Sequence, residues 1–144
     1  MFATKFDAAN AYSNVGVETA IPEASPHKLI LLLFEGAREA IIHGKAGMEA
    51  GDIQKKGVAI TKAIDIILNG LRASLNMEEG GDLSQNLYAL YDYMARRLLY
   101  ANVNNDKAAL DEVLTLLSEI HGAWIEIGEK AEQGTAQPAE QATK

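Results

Sequence analysis

Four successive stretches of the chain, each about 20–25 residues long, place apolar side chains at the 3.6-residue period of an α-helix. No stretch alternates apolar and polar residues with period two. A chain patterned this way can bury its apolar stripes only by packing helix on helix. The first stretch opens at "SPHKL", where Ser25 suits a helix N-cap and Pro26 the first helical position. It is predicted over residues 25–49 and stopped by Gly51. The second is predicted over 52–76, with Ile53, Ile60, Ile64, Ile67, Leu71 and Leu75 as its core stripe. Gly80-Gly81 breaks the chain before a third helix over 82–102, in which Asp82 and Gln85 resemble a capping box. After the turn "NVNND" the fourth covers 106–128, with Leu110, Val113, Leu114, Leu117, Ile120, Trp124 and Ile127 toward the core. Helices of similar length with short connections predict an all-α fold, an antiparallel up-and-down four-helix bundle.

The two ends differ from this pattern. Residues 1–24 carry Phe2, Phe6, Tyr12 and Val15, too apolar for a solvated tail, and are expected to pack on the outside of the bundle with a short helix. Residues 129–144 lack apolar periodicity and are expected to be a disordered tail. The domain reading is therefore 1–24 as a covering segment, 25–128 as the bundle and 129–144 as tail.

Composition excludes several classes of function. With 144 residues the chain can bury a core without disulfides or metal, and it has no cysteine, so thiolate sites and cysteine nucleophiles are absent. A net charge of −7 argues against a nucleic-acid partner. The longest purely apolar run, Leu29 to Phe34, is far short of the roughly 20 residues of a membrane span. The start "MFATKFDAAN" lacks the features of a signal peptide, so a cytoplasmic location without membrane insertion is expected.

Catalytic groups are sparse. There is no Glu-x-x-His pair for a di-iron bundle, no phosphate loop and no nucleophile elbow. Neither an enzyme nor a cofactor is expected. His121 falls on the apolar face of the fourth helix and reads as a hydrogen-bonded core residue, while His27 is expected to be exposed. His43 in "AIIHGKAG" keeps open a second class, a histidine phosphotransfer bundle; a third is a helical scaffold that homodimerises through its wide faces.

The informative surplus is apolar. In "NLYALYDYMARRLLYAN" (86–102), Leu83, Leu87, Leu90, Tyr91, Met94, Leu98 and Ala101 form one broad face. Tyr88 and Leu99 widen it, and Tyr93 and Tyr100 lie on the far side. In the first helix Leu31 and Ile42 point away from the face of Leu29, Leu33, Ala37 and Ala40. In the second, Ala59, Ile66 and Ala73 recur every seven residues beside the main stripe, as a shallow seam for a further helix. Ala59, Ile66, Ala73, Tyr88 and Leu99 are therefore the candidate binding residues, in grooves suited to apolar peptide helices.

"SPHKLILLLFEGA" (25–37), "SLNMEEGGDLSQNL" (74–87) and "LYDYMARRLLYAN" (90–102) together resemble the flagellar secretion chaperone family FliS. "AYSNVGVETA" (11–20) and Trp124 fit as well, so the resemblance covers residues 10–128. It implies a bacterial cytosolic helical bundle that binds the C-terminal region of flagellin, disordered in the monomer, and holds it against premature polymerisation. It also implies delivery to a component of the flagellar type III export gate, and an N-terminal segment that covers client surface until displaced. On that reading Phe2, Phe6, Tyr12 and Val15 are the cover, and the protein is a monomer with a dimer left open.

Overall fold

The computed structural model describes residues 25–136. It contains α1 (Pro26–Ala50), α2 (Ile53–Ile66) continuing directly into a π-helical turn (Ile67–Arg72), α3 (Gly81–Asn104) and α4 (Lys107–Ala136). No strand occurs among the described residues, and the fold is all-α. The candidate cover residues Phe2, Phe6, Tyr12 and Val15 lie outside them.

Local chemistry sets most helix ends. Ser25 Oγ accepts the Lys28 amide at 3.1 Å and Pro26 occupies the first position of α1. At the other end Gly51 adopts φ 72°, which lets its N–H reach the Gly47 and Met48 carbonyls. Asp52 then caps α2 through the Lys55 amide at 3.1 Å, and Asp106 caps α4 through the Ala109 amide at 3.2 Å. Asn105, at φ 50°, is the left-handed residue closing α3.

Three boundaries differ from the sequence reading. The second helix is not uniform, because the π-turn inserts an i→i+5 register that admits an extra residue. The proposed Asp82–Gln85 capping box does not start α3: that helix begins at Gly81 without a side-chain cap. Asn76 organises the turn before it, its Oδ1 accepting the Glu78 and Glu79 amides at 3.1 and 2.9 Å. The tail expected from 129 is also corrected, since α4 continues to Ala136. Glu129, Lys130, Ala131, Glu132 and Gln133 are good helix formers, so propensity prolongs a helix there without an apolar stripe.

The helices pack in a ring: α1 against α2 and α4, α3 against α2, the π-turn and α4. This arrangement is compatible with up-and-down order. Its core joins Leu33, Phe34 and Ile41 of α1 to Ile60, Ile66 and Ile67 of the second helix. Tyr91, Met94 and Leu98 of α3 and Leu110, Val113 and Leu117 of α4 complete it. Three residues expected at the ends of core stripes, Ile53, Leu83 and Ile127, are instead exposed. The stripes run past the point where a facing helix covers them.

α1 and α2 approach each other closely at Gly44 and Gly47. A Cβ at Gly44 would lie 2.9 Å from Ile60 Cγ1 and 3.6 Å from Ala59 Cβ. One at Gly47 would lie 2.7 Å from the backbone nitrogen of Lys56 and 3.1 Å from its Cα. Backbone, unlike a side-chain tip, cannot step aside. Gly47→Ala should therefore destabilise the protein by about 1–3 kcal/mol, the usual cost of overpacking. Gly57, whose Cβ position meets no atom within 4 Å, offers the control. Gly57→Ala should stabilise by up to about 1 kcal/mol through helix propensity. Urea denaturation of the two variants reads the contrast, and equal effects would mean that α1 and α2 are not in close contact at Gly47.

Candidate functional site

The five residues proposed as binding candidates separate into two groups. Ile66 is fully buried and Ala59 is 8% exposed, while Ala73 is half-buried just beyond the π-turn. The seam read as open to another helix is a correction: it already holds one. At Ala59 the approaching helix is α1, since a Cβ at Gly44 would lie 3.6 Å from Ala59 Cβ. Tyr88 and Leu99 of α3 are by contrast 42% and 55% exposed, as expected.

Two polar contacts fix where these α3 residues sit. Arg72, at the end of the π-turn, reaches Asp92 at 3.3 Å and lies 4.8 Å over the Tyr88 ring. At the other end of α3, buried Lys56 donates to the Asn102 carbonyl at 2.9 Å and to Asn105 Oδ1 at 2.6 Å. The edge of α3 that faces α2 thus carries Tyr88 near one end and Leu99 further along. Val103, 72% exposed, and Ile53 of α2, 76% exposed, lie at the Lys56 end. Sequence reasoning missed these last two. Val103 was read as part of a turn and Ile53 as core; only the observed helix limits reveal them.

The remaining tyrosines have structural partners. Tyr91 is buried, and burial pushes its phenol pKa up. Tyr93 donates to Glu112 of α4, Arg97 reaches the same carboxylate at 2.9 Å, and Arg97 lies 4.9 Å over Tyr100. The hydrogen bond from Tyr93, supported by Arg97, holds the Glu112 carboxyl below its ordinary range. The α3–α4 edge is therefore latched by side-chain contacts. Between α1 and α4, Lys45 pairs with Asp111 at 2.8 Å, Lys107 with Glu49 at 3.1 Å, and Arg38 donates to Ser118 at 3.1 Å.

Two histidines depart from expectation. His27 is half-buried rather than exposed, with its ring 5.1 Å from Trp124, because the first turn of α1 packs against the later part of α4. His121 is buried as expected and stacks on Phe34 at 5.5 Å, yet its Nε2, like that of His27, has no hydrogen-bond partner. Burial lowers the His121 pKa. His43 is exposed. Among the described residues no group of three or more His, Cys, Asp or Glu is placed to hold a metal ion, and no helix is long and apolar enough to cross a membrane.

A family profile described as "Flagellar protein FliS" matches residues 8–131, which contain every core residue of the bundle. The chain belongs to the FliS family. It is 52% identical over 121 residues to the flagellar secretion chaperone FliS of Salmonella typhimurium, covering 84% of this chain and 90% of that protein. It is 46% identical over 126 residues to FliS of Escherichia coli, covering 88% and 91%. With the flagellar secretion chaperone FliSB of Pseudomonas aeruginosa it shares 44% over 124 residues, 86% of this chain and 96% of the relative. FliS is a family of chaperones, not of enzymes.

Burial orders the expected effects of substitution. Ile66→Asp should unfold the protein as thoroughly as Leu71→Asp, since each would bury an unpaired carboxylate. Leu99→Asp should leave the melting temperature within about 3 °C, in keeping with the small effect of surface changes. Thermal melts of the three variants check this ordering. The sign for His121 follows from its lowered pKa. The neutral ring is favoured in the folded state, so the unfolded chain binds more protons once the pH falls below about 6.5. Its contribution is complete above that pH and is lost as the pH falls through the lowered folded value. Urea midpoints at two pH values on either side of 6.5 should show a larger acid loss in the wild type than in His121→Phe.

Proposed function

We propose that the protein is a cytoplasmic chaperone that binds the disordered C-terminal segment of flagellin, prevents its premature polymerisation and assists its delivery to the flagellar type III export apparatus. Membership of the FliS family supports the chaperone role. The observation that carries the placement is the exposure of four apolar side chains near the α2–α3 edge, Tyr88, Leu99, Val103 and Ile53. These side chains contribute little to a folded core they do not enter. They gain most when a partner's apolar face removes them from water, a gain of roughly 1.5–3 kcal/mol for a fully buried leucine.

This edge replaces the seam of Ala59, Ile66 and Ala73 as the client surface on α2, and retains Tyr88 and Leu99. A segment that folds on binding gives up ordering entropy, so it has to engage a long surface to be held. The N-terminal segment, through Phe2, Phe6, Tyr12 and Val15, is proposed to shield part of that surface in the empty chaperone. Such a cover lowers apparent affinity by the fraction of chains that are covered. No nucleotide or metal enters this cycle, and the export-gate component is a second protein partner.

Calorimetry with a synthetic flagellin C-terminal peptide tests the placement. Leu99→Asp should weaken binding by at least tenfold, at about 1.4 kcal/mol per decade, with the fold unchanged by circular dichroism. Wild-type affinity in that variant would remove this edge from the client surface, and no binding to the wild type would refute the client assignment itself. Hydrogen exchange tests the cover: amides within residues 2–17 should lose protection when the peptide is added, and unchanged protection there would rule out displacement.

A further inference from the structure

The four seams of the ring are not held alike. The α1–α4 and α3–α4 seams and the contact of the π-turn with α3 are each bridged by an ion pair: Lys45–Asp111, Arg97–Glu112 and Arg72–Asp92. The α1–α2 seam has charges of both signs on its outer rim, yet no ion pair joins Glu35 or Glu39 of α1 to Lys55 or Lys62 of α2 among the described residues. These four residues instead line the walls of a groove of about 340 Å³. Its apolar lining is Leu32, Gly36, Ala40, Val58 and Ala59, three of them small. One wall is acidic and the other basic. Along α1 the groove runs from Leu32 to His43, roughly 17 Å at 1.5 Å per residue, the length of about three helical turns.

We propose that this groove is a second docking surface, distinct from the α2–α3 edge. Its occupant is an amphipathic helix with an apolar ridge, an acidic flank that lies over Lys55 and Lys62, and a basic flank that lies over Glu35 and Glu39. The small lining residues allow a helix to come close, as Gly44 and Gly47 allow α2 to approach α1 on the inner side of the same seam. The unpaired walls are then satisfied by the partner and not by each other. Rim charges of this kind decide orientation and partner choice more than affinity.

A split groove has a specific property. Turning a docked helix end for end, with its ridge still facing down, exchanges its left and right flanks. A helix with oppositely charged flanks therefore satisfies both walls in one direction and meets like charge on both in the other. The groove reads the N-to-C direction of whatever helix it holds.

The test uses the full-length ¹⁵N-labelled chain and a stapled peptide of three helical turns, with a leucine–alanine ridge, glutamates on one flank, lysines on the other and a nitroxide at its N-terminus. In the wild type the nitroxide should broaden amides at one end of the groove only, either around Leu32 and Lys62 or around His43 and Lys55. In the wall-exchanged variant Glu35→Lys/Glu39→Lys/Lys55→Glu/Lys62→Glu the broadening should move to the opposite end. The neutralised variant Glu39→Gln/Lys55→Gln changes the rim less, and should lose at least half of the end-to-end difference. Leu99→Asp should leave the broadening unchanged, which separates this site from the client surface. Equal broadening at both ends in the wild type, an unmoved signal in the exchanged variant, or broadening centred on Tyr88 to Val103 would each overturn the proposal.

Discussion

The approach of α1 to α2 is the constraint on which the rest of the bundle depends. Gly44 and Gly47 remove the side chains that would hold the two backbones apart, and Ala59, Ile60 and the Lys56 backbone face them from α2. The pair brings Ile41, Ile60 and Ile66 together at zero exposure before larger side chains are considered. The third and fourth helices complete the ring with Tyr91, Met94, Leu98, Leu110 and Leu117, whose bulk fills the remaining space. The tight seam relies on shape and dispersion, which are sensitive to a single methyl group. The wider seams add ion pairs between half-exposed groups. Such pairs contribute only about 0–1 kcal/mol each, so they fix the relative placement of helices more than they stabilise the fold.

This division of labour suits a protein that has to keep apolar area in water. The core closes without Tyr88, Leu99, Val103 or Ile53. Exposing or covering those residues therefore leaves the folding free energy nearly unchanged, and their burial is available to binding. The tyrosines divide along the same line. Tyr91 fills the centre, Tyr93 and Tyr100 join the α3–α4 contacts, and Tyr88 stands at the free edge under Arg72. Four tyrosines on one helix thus perform three different tasks.

Most of the fold was legible in the residues themselves. Ser25, Pro26, Gly51 and Asp52 set the ends of α1 and the start of α2 through local hydrogen bonds, and such signals need no tertiary context. The exposure of Tyr88 and Leu99 was also readable from helical phase. The stripe of Ala59, Ile66 and Ala73 was misread because small residues look the same whether the helix that approaches belongs to the chain or to a partner. Only Gly44 of α1, set against Ala59, distinguishes the two. The ring that covers His27, Trp124, lies almost a hundred residues away, beyond what helical phase reveals, and α4 outlasts its apolar stripe on helix propensity alone.

The π-turn was invisible to any reading at a constant 100° per residue, and it governs the candidate site. Neighbouring Ile66 and Ile67, at the junction of α2 and the π-turn, are both fully buried in the core. The turn is secured at its far side by Ser74, whose amide and hydroxyl both donate to the Gly70 carbonyl, at 3.1 and 2.6 Å. Its insertion rotates everything downstream. Ala73 leaves the phase it shared with Ala59, and Arg72 turns to α3, where it reaches Asp92 and covers one face of Tyr88. An irregularity within the core of the second helix thereby sets the surroundings of exposed Tyr88 on the third. The geometry of the surface follows from the way the interior was packed.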